Sequence, residues 1–135
     1  MTYTSEDWDT LARTIFGEAR SEPFQGQVAV AWVVRNRADH PTWWGSTVRD
    51  VCRRPYQFSC WNENDPNLPK LQAATSADPH FLRALGIAAL VIQRDLYDPT
   101  NGATHYVADY IDPPEWSAQM VPVVTIGHHK FFKEA

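Results

Sequence analysis

Two carboxylates stand four residues apart in the segment TIFGEARSEPFQGQ, and their surroundings decide whether either one does chemistry. Glu18 closes a stretch whose apolar residues, Leu11, Ala12, Ile15, Phe16 and Ala19, recur at intervals of three and four. That spacing specifies one apolar face of a helix. At about 100° per residue, Glu18 lies about 20° round the helix from Leu11, on the flank of the apolar stripe and off the face that carries Glu6, Asp9 and Arg13. A carboxyl group at the border between core and solvent is where desolvation favours the protonated form. Such an acid suits a reaction in which a leaving oxygen must receive a proton, as in cleavage of a glycosidic bond. The plainer alternative is a helix-end glutamate paired with Arg20 or Arg35. Glu22 is the rival acid and would lie one turn from Glu18 if the helix ran on. Pro23 disfavours that continuation and suits the first turn of a new helix instead.

Other residues invite other chemistry. His105, His128 and His129, together with Glu18, raise the possibility of a zinc ion that activates water for amide cleavage. Adjacent strand residues point to opposite faces, so His128 and His129 do not easily ligate one ion. With no HExxH pattern, a strand-end histidine pair is the simpler reading. Cys52 and Cys60, at the ends of CRRPYQFSC, permit either a small disulfide loop or two buried thiols, and without a CxxC pair they do not suggest structural zinc. Tyr56, Phe58, Trp61, Tyr106 and Trp116 offer flat apolar faces of the kind that lie against sugar rings, with Gln57, Ser59 and Asn62 as hydrogen-bonding neighbours. Aromatic residues also fill small cores, and packing is the expectation for Trp61 and Trp116. A mechanism needing a second carboxylate would draw on Asp39, Glu63, Asp65, Asp109 or Asp112, all in loop-like stretches.

The elements that must hold these groups are legible in outline. Thr4 or Ser5 caps the first helix. FQGQVAVAWVVRNRA is apolar almost all round from Val28 to Val34, which marks a buried central helix, with Arg35 and Arg37 suited to its C-terminal dipole. A short helix is expected at STVRDVCRR, followed by an irregular loop rich in Pro and Asn. Asp78 and Pro79 start a third long helix carrying Phe81, Leu85, Ala88, Ala89, Ile92 and Leu96 on one side, and DPTNG breaks it. ATHYVA and VPVVTIGHHKFF give two candidate short strands. The fold class is α+β, mainly helical, with helices packed beside a small sheet or hairpin.

The totals set the class of partner. A chain of 135 residues is one ordinary domain, here 1–135, large enough to bury a core without staples. A formal charge of -4 and the lack of a basic run argue against nucleic acid. No apolar run is long enough to span a bilayer, so stable membrane insertion is not expected. MTYTSEDWDT lacks the basic and apolar regions of a secretory signal, so export would need another route.

The segments IFGEARSEPFQGQVAVAWVVRNR, PYQFSCWN, GATHYVA, PPEWS and TIGHHKFF, in this order, resemble the SleB-like (spore cortex-lytic enzyme type) cell-wall hydrolases over most of the chain. The family's Glu-Ala-Arg-Gly-Glu opening, Gly-centred step and Asn-Arg helix end correspond to Glu18, Ala19, Arg20, Ser21, Glu22, Gly26, Asn36 and Arg37. Ser21 stands where the family has glycine. The resemblance implies a lysozyme-like domain that cuts the glycan strand of peptidoglycan as a lytic transglycosylase or muramidase, needing no metal or other cofactor. Glu18 is implied as general acid/base, with Glu22, Gln57, Phe58, Ser59 and Tyr106 along the substrate cleft. The rival readings are a zinc-dependent N-acetylmuramoyl-L-alanine amidase and a non-catalytic peptidoglycan-binding module. The expected protein is a monomer acting in the periplasm or cell wall, of phage or gene-transfer-particle endolysin type, held in the cytoplasm until released through a holin.

Overall fold

The computed structural model describes residues 3–135. Helix α1 spans Ser5–Ala19, and its start is fixed by a reciprocal cap. Thr4 Oγ1 accepts the Asp7 N–H at 3.1 Å, while Asp7 Oδ2 accepts the Thr4 N–H at 3.0 Å. Asp7 is itself buried, and its second oxygen accepts the Arg49 N–H at 2.8 Å. One side chain thereby satisfies orphan backbone donors at the starts of α1 and of α3, Val48–Arg53.

Helix α2, Phe24–Asp39, is the central element, and every residue from Gly26 to Ala38 is buried. Pro23 stands as its N-cap, one position earlier than the first helical turn. The arginines at its end do more than answer a dipole. Arg35 donates to the Val91 carbonyl at 3.1 Å and to that of Ile92, closing the C-terminus of α5, Pro79–Ile92, and it pairs with Asp39. Asn36 Nδ2 donates to Ala103 O and to Asp98 Oδ2, both at 2.9 Å, and Arg37 Nε donates to Thr104 O at 2.7 Å. The Asn-Arg pair thus anchors the loop that leads into β1, His105–Ala108.

Three local expectations need correction, the first being that α5 ends at Ile92, before DPTNG, so that Leu96 lies beyond the helix. The stretch after α3 is not wholly irregular: a 3-10 turn spans Ser59–Trp61, and Leu68–Ala73 forms α4, with a proline in its first turn. VPVVTIGHHKFF is two strands rather than one, β2 at Met120–Ile126 and β3 at His129–Glu134. The sheet order is β1-β3-β2, all antiparallel, with Tyr106 opposite Phe131. Pro122 lies on an outer strand beside a bulge, where a missing N–H is tolerated.

Gly127 lets the β2–β3 hairpin turn tightly. Its φ is 58°, and a Cβ added there would stand 2.5 Å from Glu22 Oε1 and 3.0 Å from Pro23 Cδ. The turn is therefore pressed onto the α1–α2 connection. Gly127→Ala is expected to lower stability by about 2 kcal/mol through strained backbone and clash. Gly86→Ala, at a helical position with open space around it, is expected to raise stability by roughly 0.5–1 kcal/mol. Thermal melts of the two variants check the contrast in sign.

The cysteines are two buried free thiols. Burial pushes Cys52 up to about 12, and burial followed by the Glu18 carboxylate pushes Cys60 up as well. A thiol-reactive chromophore should leave both untouched in the native protein and label both after denaturation. Rapid native labelling would contradict this packing.

Candidate active site

Glu18 occupies the last turn of α1 and is half-buried, as the helical geometry requires of a residue flanking the apolar stripe. Gly17, just before it, is packed against the 3-10 turn and α4: an added Cβ would lie 2.7 Å from Cys60 Cβ and 2.8 Å from both Cys60 Sγ and Leu71 Cδ2. This approach brings the Cys60 N–H to Glu18 Oε2 at 3.1 Å. From the other side the Tyr106 hydroxyl donates to Glu18 Oε1 at 2.6 Å. Burial, and next the nearby Glu18 carboxylate, push the Tyr106 phenol well above its ordinary value, so it remains a proton-bearing donor.

No ion pair within 4.0 Å involves Glu18 among the described residues. Arg20 instead donates to Phe16 O and to Asn67 Oδ1, and Arg35 is committed to Asp39 and the end of α5. The plain reading of Glu18 as a helix-end ion-pair partner therefore fails. Its neighbours are neutral donors.

Phe58 and Glu22 face inward. Phe58 is only 2% exposed; its ring lies 5.3 Å from the Arg37 guanidinium and 6.4 Å from the Tyr106 ring. Glu22 is 8% exposed, with Oε1 accepting the His128 N–H at 2.8 Å. Both lie beneath the site rather than open to a bound chain. Gln57 is half-buried and Ser59 is exposed, on the same short stretch as the Cys60 donor. Tyr56, at φ 65° and 85% exposed, projects from the tip of that loop. Two concavities draw on the segments around Glu18, although Glu18 lines neither. One of about 210 Å³ is bordered by Tyr56, Trp61, Asn62 and Glu63, and another of about 640 Å³ by Phe16, Arg20, Lys70 and Asp78.

Trp61 packs against the core as expected, whereas Trp116 keeps 38% of its surface exposed. Trp61 Nε1 donates to Thr14 Oγ1 at 2.9 Å with Arg53 over its ring, and Trp116 lies against His105 and Phe132. Of the carboxylates considered as a second catalytic group, Asp39 is held by Arg35 and Arg94, Asp65 accepts the Asn67 N–H, and Asp109 stands 3.8 Å from His128. Glu63 and Asp112 are exposed. The histidines do not converge: burial and Arg37 hold His105 down at about 4, while His128 and His129 face Asp109 and Glu22 respectively. Among the described residues no group of three or more His, Cys, Asp or Glu is arranged to hold a metal ion.

Sequence reasoning missed the Cys60 N–H, because a backbone donor has no side-chain signature. Gly17 was its one available clue, since a glycine inside a helical pattern often marks close approach.

Known proteins carry the same architecture. The Cell Wall Hydrolase family matches residues 21–132, a span that starts just after Glu18. A spore cortex-lytic enzyme of Halalkalibacterium halodurans is 33% identical over 129 residues, which is 96% of this chain and 35% of that protein. One from Bacillus cereus is 28% identical over 131 residues, 97% of this chain and 46% of the relative. The chain thus spans less than half the length of these two relatives. The crystal structure of the catalytic domain of Bacillus cereus SleB superposes with a TM-score of 0.74 at 26% identity, covering 98% of this chain and 93% of that one. The catalytic domain of the germination-specific lytic transglycosylase SleB from Bacillus anthracis gives 0.72 at 27% identity, with 97% of both chains covered. By sequence and by fold, this chain belongs to the SleB-like cell wall hydrolase family.

Proposed function

We propose that this chain is a catalytic domain that cleaves the glycan strand of peptidoglycan by lytic transglycosylation, with Glu18 as its single acid/base. One observation carries the reading: a half-buried carboxyl group, with no ion-pair partner among the described residues, is gripped on one oxygen by a backbone N–H and on the other by a tyrosine hydroxyl. The printed description of the Bacillus anthracis relative, a germination-specific lytic transglycosylase, supports the reaction type.

The chemistry follows from that grip. The Cys60 N–H on Oε2 and the Tyr106 hydroxyl on Oε1 fix the orientation of the carboxyl group that carries the transferable proton. Glu18 gives this proton to the bridging oxygen as the glycosidic bond breaks, leaving positive charge spread over the ring oxygen and anomeric carbon. The Tyr106 hydroxyl and Cys60 N–H then both donate to the new carboxylate, stabilising it without a fixed counter-ion that would have to be displaced. The muramyl 6-hydroxyl attacks the anomeric carbon, and Glu18 takes up its proton. The bond from O6 to the anomeric carbon replaces the bond to the leaving oxygen, the proton count balances, and no water is consumed. Gln57, Ser59 and the projecting Tyr56 are the groups offered to the sugar chain, while Phe58 and Glu22 support the site from below. A monomer meeting peptidoglycan in the periplasm or wall fits this reading.

Glu18→Gln is nearly isosteric and is expected to reduce fragment release from purified sacculi by roughly a hundred- to ten-thousand-fold with the melt unchanged. Tyr106→Phe removes one charge-assisted hydrogen bond and is expected to cost about tenfold. Mass spectrometry of the released muropeptides should show 1,6-anhydro ends. Reducing ends would make the enzyme a hydrolase, free stem peptides an amidase. Binding to sacculi with no release, unaltered by Glu18→Gln, would make it a binding module.

A further inference from the structure

Glu18 is one of two acids at this junction. Glu22, from the α1–α2 connection, is buried with Oε1 on the His128 N–H, and the imidazole of His129 lies beyond it with Nδ1 3.6 Å from the same oxygen. The His129 ring rests against the Tyr106 ring, centroids 4.7 Å apart at 49°, and meets Phe131 edge-on at 6.2 Å. Tyr106 is the residue whose hydroxyl grips Glu18. His129 therefore belongs to the wall of the site, although neither a catalytic motif nor a metal accounts for it.

The two ring nitrogens of His129 sit in different surroundings. Nδ1 is sealed from solvent and has no hydrogen-bond partner among the described residues. A lone pair on Nδ1 would face a carboxylate oxygen, acceptor against acceptor. An N–H there faces opposite charge from just beyond hydrogen-bond range. A carboxylate oxygen at this distance favours a proton on Nδ1, the arrangement by which a partner on one nitrogen sets the character of the other. Nε2 then carries the lone pair. It is not among the sealed atoms, and the side chain keeps 13% of its exposure.

The charged and titratable groups facing this ring are Glu22, Glu18 at the end of α1, and His128 and Asp109 where the hairpin meets the end of β1. Burial is the largest influence and holds His129 below its ordinary value, with His128 acting in the same direction and the three carboxylates opposing. The ring is therefore neutral at pH 7.

We propose that Glu22 and His129 form a carboxylate–imidazole pair that presents Nε2 as a neutral hydrogen-bond acceptor beside Glu18 and Tyr106, where it receives a hydroxyl of the sugar being cleaved. The inference rests on the glycan-cleaving reading above. It makes His129 a substrate-binding residue and Glu22 a positioning residue that acts through it.

Long-range nitrogen–proton NMR of the protein labelled with 15N-histidine reads the tautomer directly at pH 7. The Nδ1–H form is expected, with the Nε2 resonance moving when soluble glycan strands are added to the Glu18→Gln variant. His129→Phe keeps a ring against Tyr106 but has no acceptor, and should lose about tenfold in kcat/KM, whereas His129→Gln restores an acceptor oxygen and should lose threefold or less. Protonation of Nε2 turns the acceptor into a donor, so wild-type activity should fall on the acid side, and that limb should be absent in His129→Gln. An Nε2–H tautomer, or a His129→Phe enzyme with wild-type rate and pH profile, overturns the inference. Should the Phe variant not fold, the wild-type tautomer decides. Full activity in Glu18→Gln would instead sink the glycan-cleaving reading and leave the tautomer result standing.

Discussion

The end of α1 meets the Ser59–Trp61 turn at a separation that only glycine allows, and the site is built on that contact. Any side chain at Gly17 would occupy the space of Cys60 and Leu71. Interiors are close-packed and do not absorb a methyl group without moving a neighbour. Because Gly17 and Glu18 are consecutive, the same approach that buries Cys60 places its N–H on the carboxylate. Packing and chemistry are here one constraint: what holds α1 against the turn also orients the acid. The second donor comes from the opposite side of the molecule by sequence, through the Asn36 and Arg37 bonds that anchor the loop entering β1 and so set the position of Tyr106.

The electrostatics of the site follow from where its cations are kept. Arg37 lies deep in the structure between Trp44 and Phe58, its pKa lowered to about 10 by burial, and it binds a carbonyl rather than a carboxylate. Arg20 and Arg35 are occupied by other oxygens. Had one of them closed on Glu18, the carboxylate would be held ionised by a full charge at contact distance, and returning a proton to it would mean breaking that pair. Neutral donors stabilise the anion less but leave it able to cycle. In the proposed reaction one group serves first as acid and then as base, which needs that balance.

The parts of this architecture visible in the sequence are those that a periodic or capping signal encodes. Helices α1, α2 and α5 were legible because their apolar spacing and the caps at Thr4 and Asp78 act within a few residues of each other. Helix α4 has only six residues and one buried side chain, too little pattern to stand out from a loop. The β2–β3 hairpin was hidden because Gly127 and His128 interrupt an apolar run so briefly that it reads as one strand. The Glu18 and Tyr106 positions came from family-like words and helical geometry, whereas their bond joins residues 88 apart and is written in no local signal. Ser21, which stands in place of a family glycine, is accommodated because the turn there does not use a left-handed backbone; among the described residues the non-glycine positions with positive φ are Tyr56, Arg94 and Asn101.

The break in the helix after Ala19 separates the tasks of two identical side chains. In an uninterrupted helix Glu18 and Glu22 would share one face about one turn apart, and two carboxylates so close disfavour joint ionisation. Instead the Glu22 N–H closes a tight turn on the Ala19 carbonyl at 2.9 Å, and Pro23 starts α2 in a new direction. Glu22 is thereby turned under the β2–β3 hairpin, where the His128 N–H and the bare Cα of Gly127 receive it, while Glu18 stays at the half-buried end of α1. The buried acid has a backbone partner and a histidine beside it, so its role is to hold the hairpin and through it the wall of the site. The half-open acid is held by two neutral donors, one on each oxygen. Residue type does not distinguish the two; the proline that ends one helix and begins the next does.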